Sequence, residues 1–129
     1  MNARPMVMVV EDDKEMNELE CELLQIHGMD SMSAYNGADA VEQAQQSHTD
    51  AVLLDIMLPE MDGFECCRQL RLLDGQDVPI IMITALDNDT TREEGFRAGA
   101  SAFFTKPFDP NEIVNTLRVL LEEAGTTAS

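Results

Sequence analysis

Apolar residues fall along this chain in short continuous runs, separated by longer amphipathic stretches. Met6–Val10 (MVMVV), Ala51–Leu54 (AVLL), Ile80–Ile83 (IIMI) and Ala102–Phe104 (AFF) are such runs, and Met32–Tyr35 is a weaker fifth. Continuous rather than alternating apolarity marks strands covered on both faces, as in a parallel sheet. The spacing between runs leaves room for one crossover helix in each gap. Lys14–His27 places Met16, Leu19, Leu23 and Ile26 on one stripe, which predicts the sheet-facing side of a first helix that Gly28 ends. Ala38–Ser47 turns Val41 and Ala44 inward, and Phe64–Leu72 presents Phe64, Cys67 and Leu70 or Arg71 at helical spacing. Thr90–Ala98 is short and polar and stops at Gly99, with Asp87–Thr90 offering a cap. Pro110–Glu123 has Asp109 as N-cap and proline at the first helical position, and its Ile113, Leu117, Leu120 and Leu121 predict a buried face. Five strands alternating with five helices predict a three-layer α/β domain, and right-handed crossovers restrict its topology.

At 129 residues the chain has the size of one domain. The expected unit runs over residues 4–123, with 124–129 as a flexible tail or the stub of a linker. Lys plus Arg number 8 against 25 Asp plus Glu, a net charge of −17. That balance argues against direct binding of nucleic acid, which needs clustered cations on phosphates, and against anionic membrane surfaces. No apolar run approaches the ~18 residues of a membrane span. Met1–Pro5 lacks the charged-then-apolar pattern of a signal peptide, so a soluble cytoplasmic domain is expected. Cys21, Cys66 and Cys67 are an odd three without metal-ligand spacing, and read as reduced structural thiols.

The chemistry gathers where strand-like runs stop. The first ends in Glu11-Asp12-Asp13, the third in Asp55, the fourth in Thr84 and the fifth in Thr105-Lys106. In a parallel sheet all carboxyl ends share one edge, the edge at which α/β folds bind ligands. Taken singly, each residue has a plain reading: an acid after a strand caps the next helix, a lysine pairs on the surface, a threonine hydroxyl closes a turn. Only convergence explains all four strand ends together. Carboxylates brought so close must keep protons or share a cation. Hard oxygen ligands suit Mg²⁺, and a phosphate oxygen would complete such an ion. A carboxylate in that setting can itself be the nucleophile and form an acyl phosphate.

With those residues in view, the chain resembles the receiver domain of bacterial two-component response regulators over roughly Arg4 to Glu123. The motifs are Val9-Val10-Glu11-Asp12-Asp13, the LDIMLPEMDG stretch from Leu54 to Gly63, Ile83-Thr84-Ala85, Ala98-Gly99-Ala100 and Phe104-Thr105-Lys106-Pro107-Phe108. The resemblance implies a doubly wound, flavodoxin-like fold: a five-stranded parallel sheet in the order 2-1-3-4-5 with five helices. It implies that Asp55 accepts a phosphoryl group from a phosphohistidine on a sensor histidine kinase or a histidine phosphotransfer protein. Glu11, Asp12 and Asp55 would hold Mg²⁺, with the backbone carbonyl of Met57 as a further ligand. Lys106 would pair with Asp55 and then with a phosphoryl oxygen, and Thr84 would bind another after a small loop shift. Phe103 would be the aromatic switch that turns inward when Thr84 moves. The Lys106-Pro107 bond is expected to be cis, which proline makes affordable. The output would be read on the fourth helix, fifth strand and fifth helix, about Thr90 to Glu123, by a downstream domain or protein.

The sequence departs from the family pattern at named positions. Glu11 stands where Asp is common, and Phe103 where Tyr is frequent, so the ring has no hydroxyl needing a partner. Ser101-Ala102 and Thr116 stand where the winged-helix branch has two acids and an arginine, which removes one of its interfacial salt bridges. Arg92 and Glu112 retain the residues of another, so homodimerisation through the fourth-helix, fifth-strand and fifth-helix face keeps part of its usual support. Competing functions lack their residues. A haloacid-dehalogenase phosphatase wants a second Asp two positions after the nucleophile, where this chain has Met57. A flavin carrier wants a Ser/Thr/Gly-rich phosphate loop where this chain has Glu11-Asp12-Asp13. A receiver that is folded but never phosphorylated would lack part of the five-residue site, and here every position is filled. His27 and His48 read as surface residues without a catalytic role. The nine Met read as core or filler. Asp74, Asp77, Asp87 and Asp89 read as solvated loop charges.

Overall fold

The computed structural model describes residues 4–73, 77–86 and 88–125. Its elements alternate strictly: β1 (Met6–Val10), α1 (Lys14–Ile26), β2 (Asp30–Ala34), α2 (Gly37–Gln46), β3 (Ala51–Asp55), α3 (Gly63–Leu72), β4 (Ile80–Thr84), α4 (Asp89–Ala98), β5 (Ala102–Thr105) and α5 (Pro110–Glu123). The strands pair in parallel in the order β2-β1-β3-β4-β5, as expected. Successive residues of each strand point to opposite layers. Met8, Val10, Val52, Leu54, Ile80, Met82 and Phe103 meet α2, α3 and α4 on one face. Val7, Val9, Ala51, Leu53, Ile81 and Ile83 meet α1 and α5 on the other. Burial on both faces is why these strands read as unbroken apolar runs.

The polar signals at helix starts act as caps. Asp13, Asn36, Asp62, Asn88 and Asp109 each accept a hydrogen bond from a backbone N–H of the first turn that follows. Gly99, at φ 119°, ends α4 in the left-handed conformation that glycine adopts without strain. Cys66 and Cys67 are buried free thiols, and burial pushes the Cys66 thiol up to about 12. Asp74 and Asp87, and the tail beyond Gly125, lie outside the described residues.

Three expectations need correction. The second strand begins at Asp30, two residues before its apolar run, because pairing with β1 defines it: Met6 lies opposite Asp30. It is an edge strand, only Ala34 of it is buried, and hydropathy marks it poorly. In α5 the buried set is Ile113, Val114, Leu117 and Leu121, with Leu120 half-buried. The largest difference is in α1. Its buried residues are Asn17, Glu20 and Leu24, while Leu19 and Ile26 stand 59% and 79% exposed. The helix is rotated by about one residue from the apolar stripe that predicted its inner face. Asn17 supplies the reason: its amide faces three backbone carbonyl oxygens at the ends of β1 and β2. A buried amide left without such partners would cost about 1–3 kcal/mol.

One glycine fixes the loop after β3. The Gly63 N–H donates to the Ile56 carbonyl at 2.8 Å. A Cβ at this position would sit 2.5 Å from the Ile56 Cα and 2.7 Å from the Asp55 carbonyl oxygen, both backbone atoms that cannot step aside. Gly63→Ala is therefore expected to destabilise the domain by about 1–3 kcal/mol. A urea midpoint equal to that of the wild type would contradict this close approach.

Candidate functional site

Parallel pairing brings the carboxyl ends of all five strands to one edge, and the sequence-predicted acids meet there. Glu11 and Asp12 follow β1, and Asp55 is the last residue of β3. One carboxylate oxygen from each lies within 4.8 Å of the others. Glu11 and Asp55 are buried and Asp12 is exposed at the rim. Two unit charges at about 4.8 Å repel by about 3 kcal/mol at an effective dielectric near 20. The chain answers this with a cation of its own. Lys106, just past β5, places its Nζ 2.8 Å from Glu11 Oε1 and 2.8 Å from Asp55 Oδ2. Partial burial acts against the ammonium, but the hydrogen bonds and charges of Asp55 and Glu11 outweigh it and raise the Lys106 pKa, so it stays charged. The Lys106-Pro107 peptide is cis.

The remaining oxygens of the acids are held by backbone. Asp55 Oδ1 accepts from the Met57 N–H at 2.9 Å, and Glu11 Oε2 accepts from the Asp13 N–H at 3.1 Å. Asp12 gives up some hydration to the protein beneath it and lies beside the Glu11 carboxylate, and both raise its pKa. Three hard oxygen donors, one of them facing solvent, form a donor set able to hold a divalent cation that keeps several waters. Met57 is half exposed beside them.

Thr84 ends β4 fully buried, next to Lys106, whose N–H donates to the Thr84 carbonyl at 2.7 Å. Its hydroxyl accepts from the Leu86 N–H at 3.1 Å, so it is engaged within its own loop. Phe103 is 8% exposed and lies in the layer under α4. A Cβ on Gly95 would meet its ring at 3.2 Å, so the ring occupies the space that this glycine leaves. The Arg92 guanidinium sits over the Phe103 ring at 5.0 Å and donates to Thr105 Oγ1 at 3.3 Å, and Phe96 packs alongside. His27 Nδ1 meets the Leu23 carbonyl and His48 Nε2 the Asp50 carboxylate, both away from the acids. A cavity of about 220 Å³ lined in part by His48, Asp50, Asp77 and Pro79 lies at the amino ends of the strands, opposite the acid cluster.

Two polar residues of α1 belong to these surroundings and are missed by apolar periodicity. Asn17 binds the Glu11 carbonyl. Glu20 is buried at 5% exposure, and its pKa is raised to about 7, first by burial and then by the negative charges of Glu11 and Asp55, with Lys106 opposing. The available signal was positional: the first turns of a helix that follows β1 pass over the carboxyl end of that strand.

Residues 7–118 match the response regulator receiver domain family, and the chain belongs to it. The transcriptional regulatory protein SrrA of Staphylococcus aureus is 36% identical over 121 residues, which cover 94% of this chain and 49% of SrrA. The chain thus spans about half the length of that curated relative. Among solved structures, the RstA receiver domain of Klebsiella pneumoniae, activated with BeF3, is 37% identical with a TM-score of 0.82, over 90% of this chain and 97% of that one. The receiver domain of the Pseudomonas aeruginosa sensor histidine kinase PA1611, which holds a magnesium ion in its active site cleft, is 30% identical with a TM-score of 0.85, over 93% and 99% of the two chains. The molecule is a signalling receiver domain. Among the described residues, no helix is long and apolar enough to cross a membrane.

Proposed function

We propose that the domain is a phosphorylation-dependent switch that takes a phosphoryl group from a phosphohistidine onto Asp55. The donor is a sensor histidine kinase or a histidine phosphotransfer protein. The observation that carries this reading is the Lys106 bridge, 2.8 Å to Asp55 and 2.8 Å to Glu11, which joins the ends of β1, β3 and β5 around one buried carboxylate. In the transfer, a carboxylate oxygen of Asp55 forms a bond to phosphorus as the bond from phosphorus to the histidine nitrogen breaks; the electron pair stays on that nitrogen, and the ring, protonated on its other nitrogen, leaves as neutral imidazole. Transfer of this kind needs alignment and charge neutralisation more than proton transfer. Mg²⁺ held by Glu11, Asp12, Asp55 and the Met57 carbonyl would supply part of that neutralisation. Lys106 orients Asp55 through its 2.8 Å hydrogen bond, then follows the new phosphoryl oxygens. The Met57 N–H holds the second Asp55 oxygen in place. The domain thus promotes its own phosphorylation and dephosphorylation without acting on a separate substrate.

The phosphoryl group adds about −1.5 to −2 charges and three acceptor oxygens. Thr84 exchanges the Leu86 N–H for one of these oxygens by swinging its hydroxyl into the site. That shift moves the loop leading into α4, and the Phe103 ring beneath Gly95 repacks with it. The α4, β5 and α5 face is the surface an output domain, a partner protein or a second copy of the domain reads. SrrA, a transcriptional regulatory protein of about twice this length, supports an output in transcription.

The test is direct. Incubation with acetyl phosphate and Mg²⁺ is expected to add one phosphoryl group by intact mass, and excess chelator is expected to abolish it. Labelling that persists in chelator would remove Mg²⁺ from the mechanism, and absence of any adduct with Mg²⁺ would overturn the phosphoacceptor reading.

A further inference from the structure

Asn17 lies one turn into α1 and is completely buried. Its Nδ2 is 3.1 Å from the Glu11 carbonyl oxygen, 3.2 Å from that of Val9 and 3.3 Å from that of Ala34. Its Oδ1 accepts from Ser33 Oγ at 2.5 Å and from the Cys21 thiol at 3.5 Å. Only an NH₂ group can face three carbonyl oxygens, so the orientation of the amide is fixed. β1 ends at Val10, and the Glu11 carbonyl therefore lies past the last strand residue, exactly where the chain turns toward the acids. The Glu11 N–H meanwhile donates to the same Ala34 carbonyl that Asn17 binds. One side chain thus ties the exits of β1 and β2 together at the residue that carries the first carboxylate. The Glu11 side chain leaves this anchored backbone to reach Lys106 and the Asp13 N–H.

We infer that Asn17 is a positioning residue for the cation site: its amide fixes the backbone from which the Glu11 and Asp12 carboxylates depart, so divalent-ion affinity depends on a side chain that contributes no ligand atom. The inference rests on the reading of this rim as a Mg²⁺ site. Outer partners that orient metal ligands commonly change affinity by about 10–100-fold when removed. A residue that served only folding would lower stability and leave the affinity of the folded domain unchanged.

The experiment is a residue-resolved NMR titration with MgCl₂ on wild type, Asn17→Ala, Asn17→Ser and Leu121→Ala, the spectra also reporting the fold. Leu121 is buried near the end of α5 in the apolar layer that α5 shares with α1, and its truncation is a stability control. The expected result is about 10-fold weaker Mg²⁺ binding in Asn17→Ala. Asn17→Ser, which keeps one donor, should fall between, and Leu121→Ala should keep wild-type affinity despite a lower melting temperature. Labelling of Asn17→Ala by acetyl phosphate should return to near the wild-type rate once Mg²⁺ is saturating. Wild-type affinity in folded Asn17→Ala overturns the inference, and Asn17→Ser decides in the same way if the alanine variant does not fold. A labelling rate that stays depressed at saturating Mg²⁺ also overturns it. Wild-type protein that fails to bind Mg²⁺ would overturn the metal reading itself, and the role of Asn17 with it.

Discussion

Asp55→Asn is expected to show no phosphoryl adduct after acetyl phosphate and Mg²⁺ under conditions that label the wild type fully. The carboxylate is held from both sides: Oδ1 accepts from the Met57 N–H and Oδ2 from the Lys106 ammonium. Asparagine matches its volume, so the fold should survive. Its NH₂ group, however, must face one of these two donors, and the amide oxygen is a poor nucleophile. Glu11 and Asp12 remain in the variant, so the experiment distinguishes a specific acceptor from general reactivity of an acidic rim. The wild-type adduct should be an acyl phosphate, cleaved by hydroxylamine. An adduct of the same mass and lability on Asp55→Asn would show that another side chain is the acceptor.

Glu20→Gln is expected to stabilise the domain by about 3 kcal/mol at pH 8 in Mg²⁺-free buffer, an effect that fades toward pH 4.5. Burial first, and then the charges of Glu11 and Asp55, raise the Glu20 carboxyl from its ordinary 4.5 to about 7. The folded state therefore holds a proton that the unfolded chain has released between those two values. Stability is fully present below about pH 4.5, declines as pH rises, and is lowest above about 7. Glutamine stays neutral throughout, so its profile should lack this decline. Urea midpoints across pH 4.5–8 in chelator measure it, since a bound dication beside Glu11 and Asp55 would mask part of the repulsion. Parallel profiles for the two proteins would mean that Glu20 keeps its ordinary carboxylate behaviour despite its burial.

Much of the fold was legible because its strands are buried on both sides. Met6–Val10 and Pro110–Glu123 stand where their patterns predict, since an unbroken apolar run and a proline after an acidic cap each admit few alternatives. β2 was blurred because an edge strand is defined by its partner more than by its own hydropathy. The inner face of α1 was misplaced because periodicity weighs transfer to an apolar layer and cannot see where a buried amide finds its partners. Leu19 and Ile26 satisfy the helical period, but the Asn17 amide faces three carbonyl oxygens. The acids and the lysine were legible because parallel topology converts four separate strand ends into one place. What sequence could not supply was the ordering within that place: Lys106 lies between Glu11 and Asp55, and the Thr84 hydroxyl is turned to Leu86.

Because the Lys106 ammonium is tethered to the end of β5, its charge arrives with the polypeptide and never has to be captured from solution. Two of the three crowded acids acquire a resident counterion as soon as the fifth strand docks. The fold thereby leans less on any diffusible ion for its charge balance, although an ion that binds later still adds stability. On the proposed reading, removing magnesium should then silence the domain while leaving it folded, ready to resume when the ion returns.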